Sequence, residues 1–297
     1  MDVTHSSAPD VALGPRRLVA VLGAGGAVGE AIARRLIAAG HRVRAGVRRP
    51  GAAGDRLVAL GAAVTIARLE APEEIAALFV GADAGVATPI LTESLVAAPA
   101  LAALDRAIVF SSNNVAVAPD DPVYAALAAA EAQWRAIAPR ATIVRPTLLY
   151  GDPRLKAIPD LMALMRRTPV MPVPGLGRAL QQPLFVEDAA ALVGAALDAS
   201  DGVGRTLAIG GPDVLSLRAL YAAVSRAAGG VRVLAPTPRA LLRLAASMGA
   251  PLSAAQIARA HLDKTARRAD PLPVGWAPAT DLRTGLAHLA RRLGQAR

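Results

Sequence analysis

The sequence predicts an α/β protein, a doubly wound parallel sheet with a smaller, mainly helical C-terminal part on the substrate side. Three observations carry that expectation. Residues 18–50 read as an apolar strand, a glycine-rich turn, an amphipathic helix and a second strand. Short apolar runs then alternate with helical stretches as far as residue 144, as repeated βα units of a parallel sheet do. From Gly151 onward Pro and Gly become frequent and the alternation loosens.

The first unit is the most informative. LVAVL at 18–22 suits a buried parallel strand, and Val28, Ile32 and Leu36 recur every four residues, as one face of a helix requires. Between them stand Gly23, Gly26 and Gly29, a GxxGxxG spacing in which Gly25 adds a GxG. In a Rossmann dinucleotide unit the first glycine makes the tight turn, the second lets backbone approach the pyrophosphate, and the third lets helix pack closely on strand. The helix N-terminus then offers free N–H groups and a partial positive charge to the phosphates. Gly23, Gly25, Gly26, Ala27, Val28 and Gly29 are therefore candidate cofactor contacts. An NAD site needs an acidic residue about 20 positions on to hold the ribose 2′-hydroxyl. Arg48 stands there, and no Asp or Glu occurs between Glu30 and Asp55. Arg48 and Arg49 can instead grip a 2′-phosphate through paired hydrogen bonds, so NADP(H) is expected in preference to NAD(H).

The remaining elements follow in order. Strands are expected at 63–66, 84–87, 108–110 and 141–144, with helices at 72–80, 91–104 (interrupted or bent at Pro99) and 123–137. Pro146 ends the last of these strands at the ligand-facing edge, which makes it a further cofactor contact. The division reads as a flexible tail over 1–16, a dinucleotide-binding domain over 17–150 and a substrate-side region over 151–297, some segments of which return to the main body. Residues 169–183 are too broken by Pro and Gly for a long regular element. Beyond them come a helix at 187–199, a strand at 206–209, a helix at 216–228 with Ser216 as N-cap, and a strand at 231–234. Residues 238–248 set Arg239 and Arg243 beside leucines, which reads as an ordinary packed amphipathic helix in preference to one facing a membrane or partner.

Composition narrows the function classes. With 297 residues, 54% hydrophobic, the chain can bury a large core. The formal charge of +10 invites a nucleic-acid reading. Against it, all basic residues but Lys156 and Lys264 are arginine or histidine, and aromatic residues for base stacking are only 3%; no nucleic-acid partner is expected. Cysteine is absent, which excludes thiolate chemistry and is compatible with a cytoplasmic location. His5, His41, His261 and His288 lack metal-ligand spacing, so no metal is expected. The N-terminus lacks the order of a signal peptide, and no apolar run reaches the length of a membrane span. The expected partner is a small-molecule substrate, and a homo-oligomer is compatible with these features.

GAGGAVG at 23–29, VRRP at 47–50, FSS at 110–112, TIVRPTLLYG at 142–151, QQPLFVEDAA at 181–190 and GWAPATDLRTGL at 275–286 occur in that order. Together they resemble the extended and atypical short-chain dehydrogenase/reductase superfamily, in particular its NAD(P)-dependent epimerase/dehydratase-like and complex I accessory-subunit-like (NmrA-like) branches. The resemblance implies a catalytic serine after the fifth strand and a Tyr-x-x-x-Lys helix whose lysine activates the phenol. Ser111 or Ser112 occupies the serine region and Tyr124 the tyrosine region, but Ala128 stands where the lysine belongs. The other tyrosines do no better, since Tyr150 is followed at that spacing by Arg154 and Tyr221 by Ser225. A free phenol near pKa 10 is only about 0.1% ionised at pH 7, so an ammonium beside it matters. The resemblance also makes Tyr150, Arg178 and Gln182 candidate substrate contacts, and Phe185 stands where members often carry histidine. Two functions remain open: an NADP(H)-binding oxidoreductase or epimerase/dehydratase-like protein with an incomplete site, acting on a small carbonyl or hydroxyl substrate, or a noncatalytic NADP(H)-binding protein of regulation or assembly.

Overall fold

Along the chain, β1 (Leu18–Leu22), α1 (Ala27–Ala38), β2 (Arg42–Val47), α2 (Ala52–Ala59), β3 (Ala63–Ile66), α3 (Pro72–Phe79) and β4 (Ala84–Ala87) form the first half of the sheet and its helices. A 3₁₀ turn at Ser94–Ala97 leads into α4 (Ala98–Ala102), β5 (Arg106–Phe110), α5 (Asn114–Val117), α6 (Pro122–Ile137) and β6 (Thr142–Pro146). The later part holds β7 (Leu149–Tyr150), α7 (Ala157–Arg167), β8 (Val170–Pro174), β9 (Leu180–Gln181), β10 (Leu184–Phe185), α8 (Val186–Asp198) and β11 (Thr206–Ile209). It closes with β12 (Leu215–Ser216), α9 (Leu217–Ala227), β13 (Val233–Thr237), α10 (Arg239–Ser247), α11 (Ala254–Arg259) and α12 (Leu282–Gln295). The computed structural model describes residues 16–199, 203–248, 253–266, 271–273 and 275–295. The tail expected over 1–16 lies outside them but for its last residue.

Seven strands pair in the order β11-β6-β5-β4-β1-β2-β3, all parallel. This is the expected doubly wound, Rossmann-like α/β fold. The strand order reverses between β1 and β4, which opens a crevice at the carboxyl ends of the strands. Val19, Ala20, Val21 and Leu22 are all buried because helices cover both faces of the sheet. On one face Ile32 and Leu36 of α1 pack with Val193 and Leu197 of α8. The other face is filled by Ile75 and Leu78 of α3, Leu101 of α4 and Trp134 of α6. A third core joins Met162 of α7, Leu220 of α9 and Leu286 of α12 around Tyr150 and Phe185.

Local chemistry sets the element ends. Asp121 caps α6 by accepting from the Val123 amide with Pro122 in the first turn, and Ser216 caps α9 through the Ala219 amide. The helix expected over 91–104 is instead a 3₁₀ turn and the short α4, with Pro99 in the first turn of α4. Proline lacks an N–H, and there it costs no intrahelical bond, so it starts the helix rather than bending it. Within the broken 169–183 segment, β8 pairs in parallel with β13, whose strand runs later than the expected 231–234. As a two-stranded edge ribbon it tolerates Pro172 and Pro174. The packed reading of 238–248 also needs correction: Leu242 of α10 is buried, but Leu241 and Leu244 face solvent.

Gly285 on α12 passes directly over Tyr150. A Cβ there would sit 2.2 Å from the Tyr150 hydroxyl and 2.7 Å from its ring. Gly285→Ala should therefore destabilise the protein by about 1–3 kcal/mol in denaturant unfolding. Tyr150→Phe in the same chain should recover part of that loss, because it removes the nearest clashing atom and only a long 3.4 Å bond to the Asp281 carbonyl. Purely additive effects would contradict this packing.

Candidate functional site

The glycine turn is built as its spacing requires. Gly23 has φ +76°, which a side chain rarely adopts, and a Cβ on Gly29 would meet the Gly23 carbonyl at 2.3 Å. A Cβ on Gly26 would meet only that same carbonyl oxygen, at 3.3 Å, so its other side is open. Gly26 is the N-cap of α1 and brings no side chain to it, so the amides of Ala27 and Val28, in its first turn, have no intrahelical acceptor. Above the turn lies a cleft of about 640 Å³. Its walls include Gly23, Gly25, Gly26, Arg48, Arg49 and, from beyond β4, Thr88 and Pro89. Thr88 fixes that wall by donating to the carbonyls of Leu22 and Gly23 at 3.1 and 3.2 Å. Arg48 and Arg49 are exposed, and no ion pair with a described carboxylate engages them. Glu70 and Glu93 also line the cleft; the sequence spacing from the glycines gave no sign of them, because they arrive from after β3 and β4.

At the carboxyl ends of β5 and β6 the two serines diverge. The Ser111 hydroxyl donates to Glu131 of α6, a buried carboxylate that also pairs with Arg145 of β6. The Ser112 hydroxyl accepts from the Asn114 amide at 3.2 Å, leaving its own proton available. Tyr124 is half-buried near the start of α6, and its oxygen accepts from the Asn114 side chain at 2.8 Å. The phenol proton is thus free to be donated. Ala128 is exposed one turn on. A cation does reach Tyr124 from elsewhere: Arg259 of α11 lies 5.4 Å from the ring centre and is held by Asp121 at 3.2 Å. Pro146 is buried at the end of β6, where its carbonyl accepts from the Asn113 amide at 3.0 Å. Sequence reading missed Asn113, Asn114, Glu131 and Arg259, and only the polar FSSNN run could have flagged the asparagines.

The three expected substrate contacts separate. Tyr150 is 0% exposed, edge-on to Phe185 at 5.6 Å between ring centres, and burial pushes its phenol upward, with Asp188, Asp213 and Asp281 adding to the shift. Its ring belongs to the core. Arg178 is exposed on the turn after β8. Gln182 does line a cavity of about 520 Å³ beyond β11, with Thr265 and Trp276. Its amide is fixed on both sides, donating to the Gly211 carbonyl at 2.7 Å and accepting from the Ala266 amide at 2.8 Å. Asn113 pins the same crossing segment through the Thr265 carbonyl at 2.7 Å. Lys264 lies in that segment, and burial lowers its pKa, with the Arg259 charge adding to the effect.

Behind the glycine turn runs a chain of five charges. Arg154 donates to the Gly25 carbonyl at 3.1 Å, to Glu30 at 2.9 Å and to Asp152 at 2.8 Å. Arg56 of α2 meets the same Glu30 oxygen at 3.0 Å, and Arg292 of α12 holds Asp152 at 3.0 Å. Burial alone would raise the Asp152 carboxyl, but the Arg154 hydrogen bonds and the Arg292 charge hold it down at about 2. Glu30 is lowered in the same way, against its burial, by Arg56 and Arg154. No group of three His, Cys, Asp or Glu side chains among the described residues could hold a metal. No helix of the described residues is long and apolar enough to cross a membrane.

Comparison with known proteins places this geometry. A family model described as "NmrA-like family" matches residues 15–229. A curated mitochondrial protein of Arabidopsis thaliana, NADH dehydrogenase [ubiquinone] 1 alpha subcomplex subunit 9, is 34% identical over 116 residues, 39% of this chain and 29% of that protein. The match therefore spans less than a third of that relative's length. Among solved structures, a nucleoside-diphosphate-sugar epimerase from Pseudomonas aeruginosa superposes with TM-score 0.75 at 17% identity, covering 94% of this chain and 98% of that one. A mutant UDP-glucuronic acid 4-epimerase from Bacillus cereus, in complex with a fluorinated UDP-sugar and NAD, gives TM-score 0.71 at 14% identity, covering 94% and 100%. At such identities these two likenesses speak for the fold.

The charge chain makes its own prediction. Asp152→Asn should destabilise the protein by about 2–3 kcal/mol, below the usual cost of breaking a buried pair, because Arg154 and Arg292 are each 35% exposed. The Asp152 pKa is lowered on folding from 3.8 to about 2. Its contribution is therefore complete above the unfolded value and disappears as pH falls through the folded one. Denaturant titrations across pH 5 to about 2 should show a loss in the native protein that is smaller in Asp152→Asn. Parallel curves would contradict the assignment.

Proposed function

The chain belongs to the NmrA-like family, and from that premise we propose that it binds NADP(H) over its glycine turn. On this reading it is an oxidoreductase or epimerase/dehydratase-like protein for a small carbonyl or hydroxyl substrate. The observation that supports it most is the pair Arg48 and Arg49, exposed at the rim of the cleft that the Gly23–Gly29 turn floors. Gly26, Ala27 and Val28 would take the pyrophosphate at the uncapped N-terminus of α1, and the two guanidinium groups the 2′-phosphate. The Bacillus cereus epimerase is described with NAD; arginine in place of an acid at the second strand is what moves the preference here toward NADP(H).

When bound, NADP(H) supplies or accepts the hydride. The chain's own residues do the rest. Tyr124, with Asn114 donating to its oxygen, can offer its proton to a substrate oxygen, and Ser112 can add a second donor. Ser111 acts one layer back, where its hydroxyl is committed to Glu131. Pro146, at the end of β6, would border the nicotinamide side, and Gln182 borders a cavity that would take the substrate. A second reading, noncatalytic binding of the dinucleotide for regulation or assembly, is favoured by Ala128, which gives α6 no ammonium.

Calorimetric titration should show tighter binding of NADPH than NADH. Arg48→Glu should shrink that preference roughly tenfold to a hundredfold, as expected for a charge-assisted contact of about 1.5–3 kcal/mol. Equal affinities for the two dinucleotides in the unmodified protein would sink the assignment.

Tyr124→Phe keeps the ring and deletes the hydroxyl. Because Ala128 cannot activate the phenol, any NADPH-dependent turnover should fall by less than about tenfold, short of the 10²–10⁴ that a general acid contributes. A loss in that larger range would make Tyr124 the dominant proton donor.

A further inference from the structure

Helix α10 leaves its apolar face uncovered. Leu242 is buried on the side where α10 packs by α11, and Arg239 reaches the Ala258 carbonyl there at 3.4 Å. Leu241, Leu244 and Met248 stand 55%, 56% and 78% exposed. Their spacing of three and four residues puts them on one stripe of the helix. Arg239 and Arg243 line the opposite edge of the exposed arc, and only the small Ala240 and Ser247 come between. The stretch of chain around this helix carries charge of one sign, though Arg259 of α11 is paired with Asp121. From Val214 to Leu262 the sequence has no Asp or Glu but six arginines, Arg218, Arg226, Arg232, Arg239, Arg243 and Arg259.

We propose that this face docks on the surface of an anionic lipid bilayer, with Leu241, Leu244 and Met248 entering the acyl boundary and the arginines meeting lipid phosphates. An apolar row beside a basic row with no carboxylate among them is the composition of a helix that lies in a bilayer interface. A protein partner of mixed surface charge would need acids here to pair with its own cations, and a second copy of this basic face would repel it. The attraction also makes binding depend on salt, since exposed charges are screened over about 10 Å at 0.1 M ionic strength.

Flotation of the full-length protein with phosphatidylcholine vesicles, with and without phosphatidylglycerol, tests the proposal. The protein should float with the anionic vesicles at low salt, be released by salt, and stay behind with the neutral ones. Leu241→Asp with Leu244→Asp should abolish flotation without moving the melting temperature, since both side chains are exposed. Arg243→Ala should weaken it by about fivefold, each basic residue near such a surface being worth roughly 1 kcal/mol. No flotation of the native protein overturns the proposal. So does unchanged flotation of the double Asp variant, which would mean that general basic charge binds the lipid. A dimer that the double variant breaks, with no lipid binding by the native chain, assigns the face to self-association instead.

Discussion

Two buried carboxylates, Glu30 and Asp152, fix how the glycine turn meets the rest of the molecule. They are 5% and 2% exposed, a burial that an ionised carboxylate tolerates only when it is paired and hydrogen-bonded. The partners come from three places: α2 gives Arg56, the segment after β7 gives Arg154 and α12 gives Arg292, and Arg154 also donates to the Gly25 carbonyl of the turn itself. Arg154 is the one that serves both carboxylates, so moving it would weaken the hold on each at once. The cleft above the turn therefore has a floor held from behind, and the C-terminal helix is tied to it across more than a hundred residues of sequence.

That arrangement sorts the arginines by task. Arg56 faces a carboxylate and is committed to it, whereas Arg48 and Arg49, a few residues earlier, remain available at the cleft. The same sorting recurs across the sheet. Glu131 holds Arg145 and accepts the Ser111 hydrogen bond, while Asn114 turns its donor to Tyr124 and leaves the phenol proton unused. Positive charge at Tyr124 arrives from Arg259 on α11 instead of from Ala128 on α6. A guanidinium over the ring face is not an ammonium beside the hydroxyl, and this separates the site from the one that a Tyr-x-x-x-Lys helix would build.

The fold was legible because its signals are local. Apolar runs four or five residues long, helical spacing at Val28, Ile32 and Leu36, and glycines at fixed intervals all act within one βαβ unit. Ser216 was recognisable as an N-cap for the same reason. What failed at the site depended on partners far away in sequence. Tyr150 follows a strand end and looked available to a substrate, but Gly285 on α12 lets that helix close over it. Arg154 could be counted as the residue four beyond Tyr150, yet its role comes from Glu30, 124 positions earlier. Pro99 was read as a bend because its place in the first turn of α4 depends on where the preceding 3₁₀ turn ends. In α10 the periodicity was correct and the burial was not, since an apolar stripe in the sequence does not say whether anything packs against it.

The most direct measurement of the central claim is the electron density of a crystal grown with NADP⁺. The account predicts the pyrophosphate across the backbone of Gly26 at the start of α1 and the 2′-phosphate within hydrogen-bond distance of Arg48 or Arg49. Density for the dinucleotide elsewhere on the chain would contradict it. So would a ribose held by Glu70 while both arginines point to solvent.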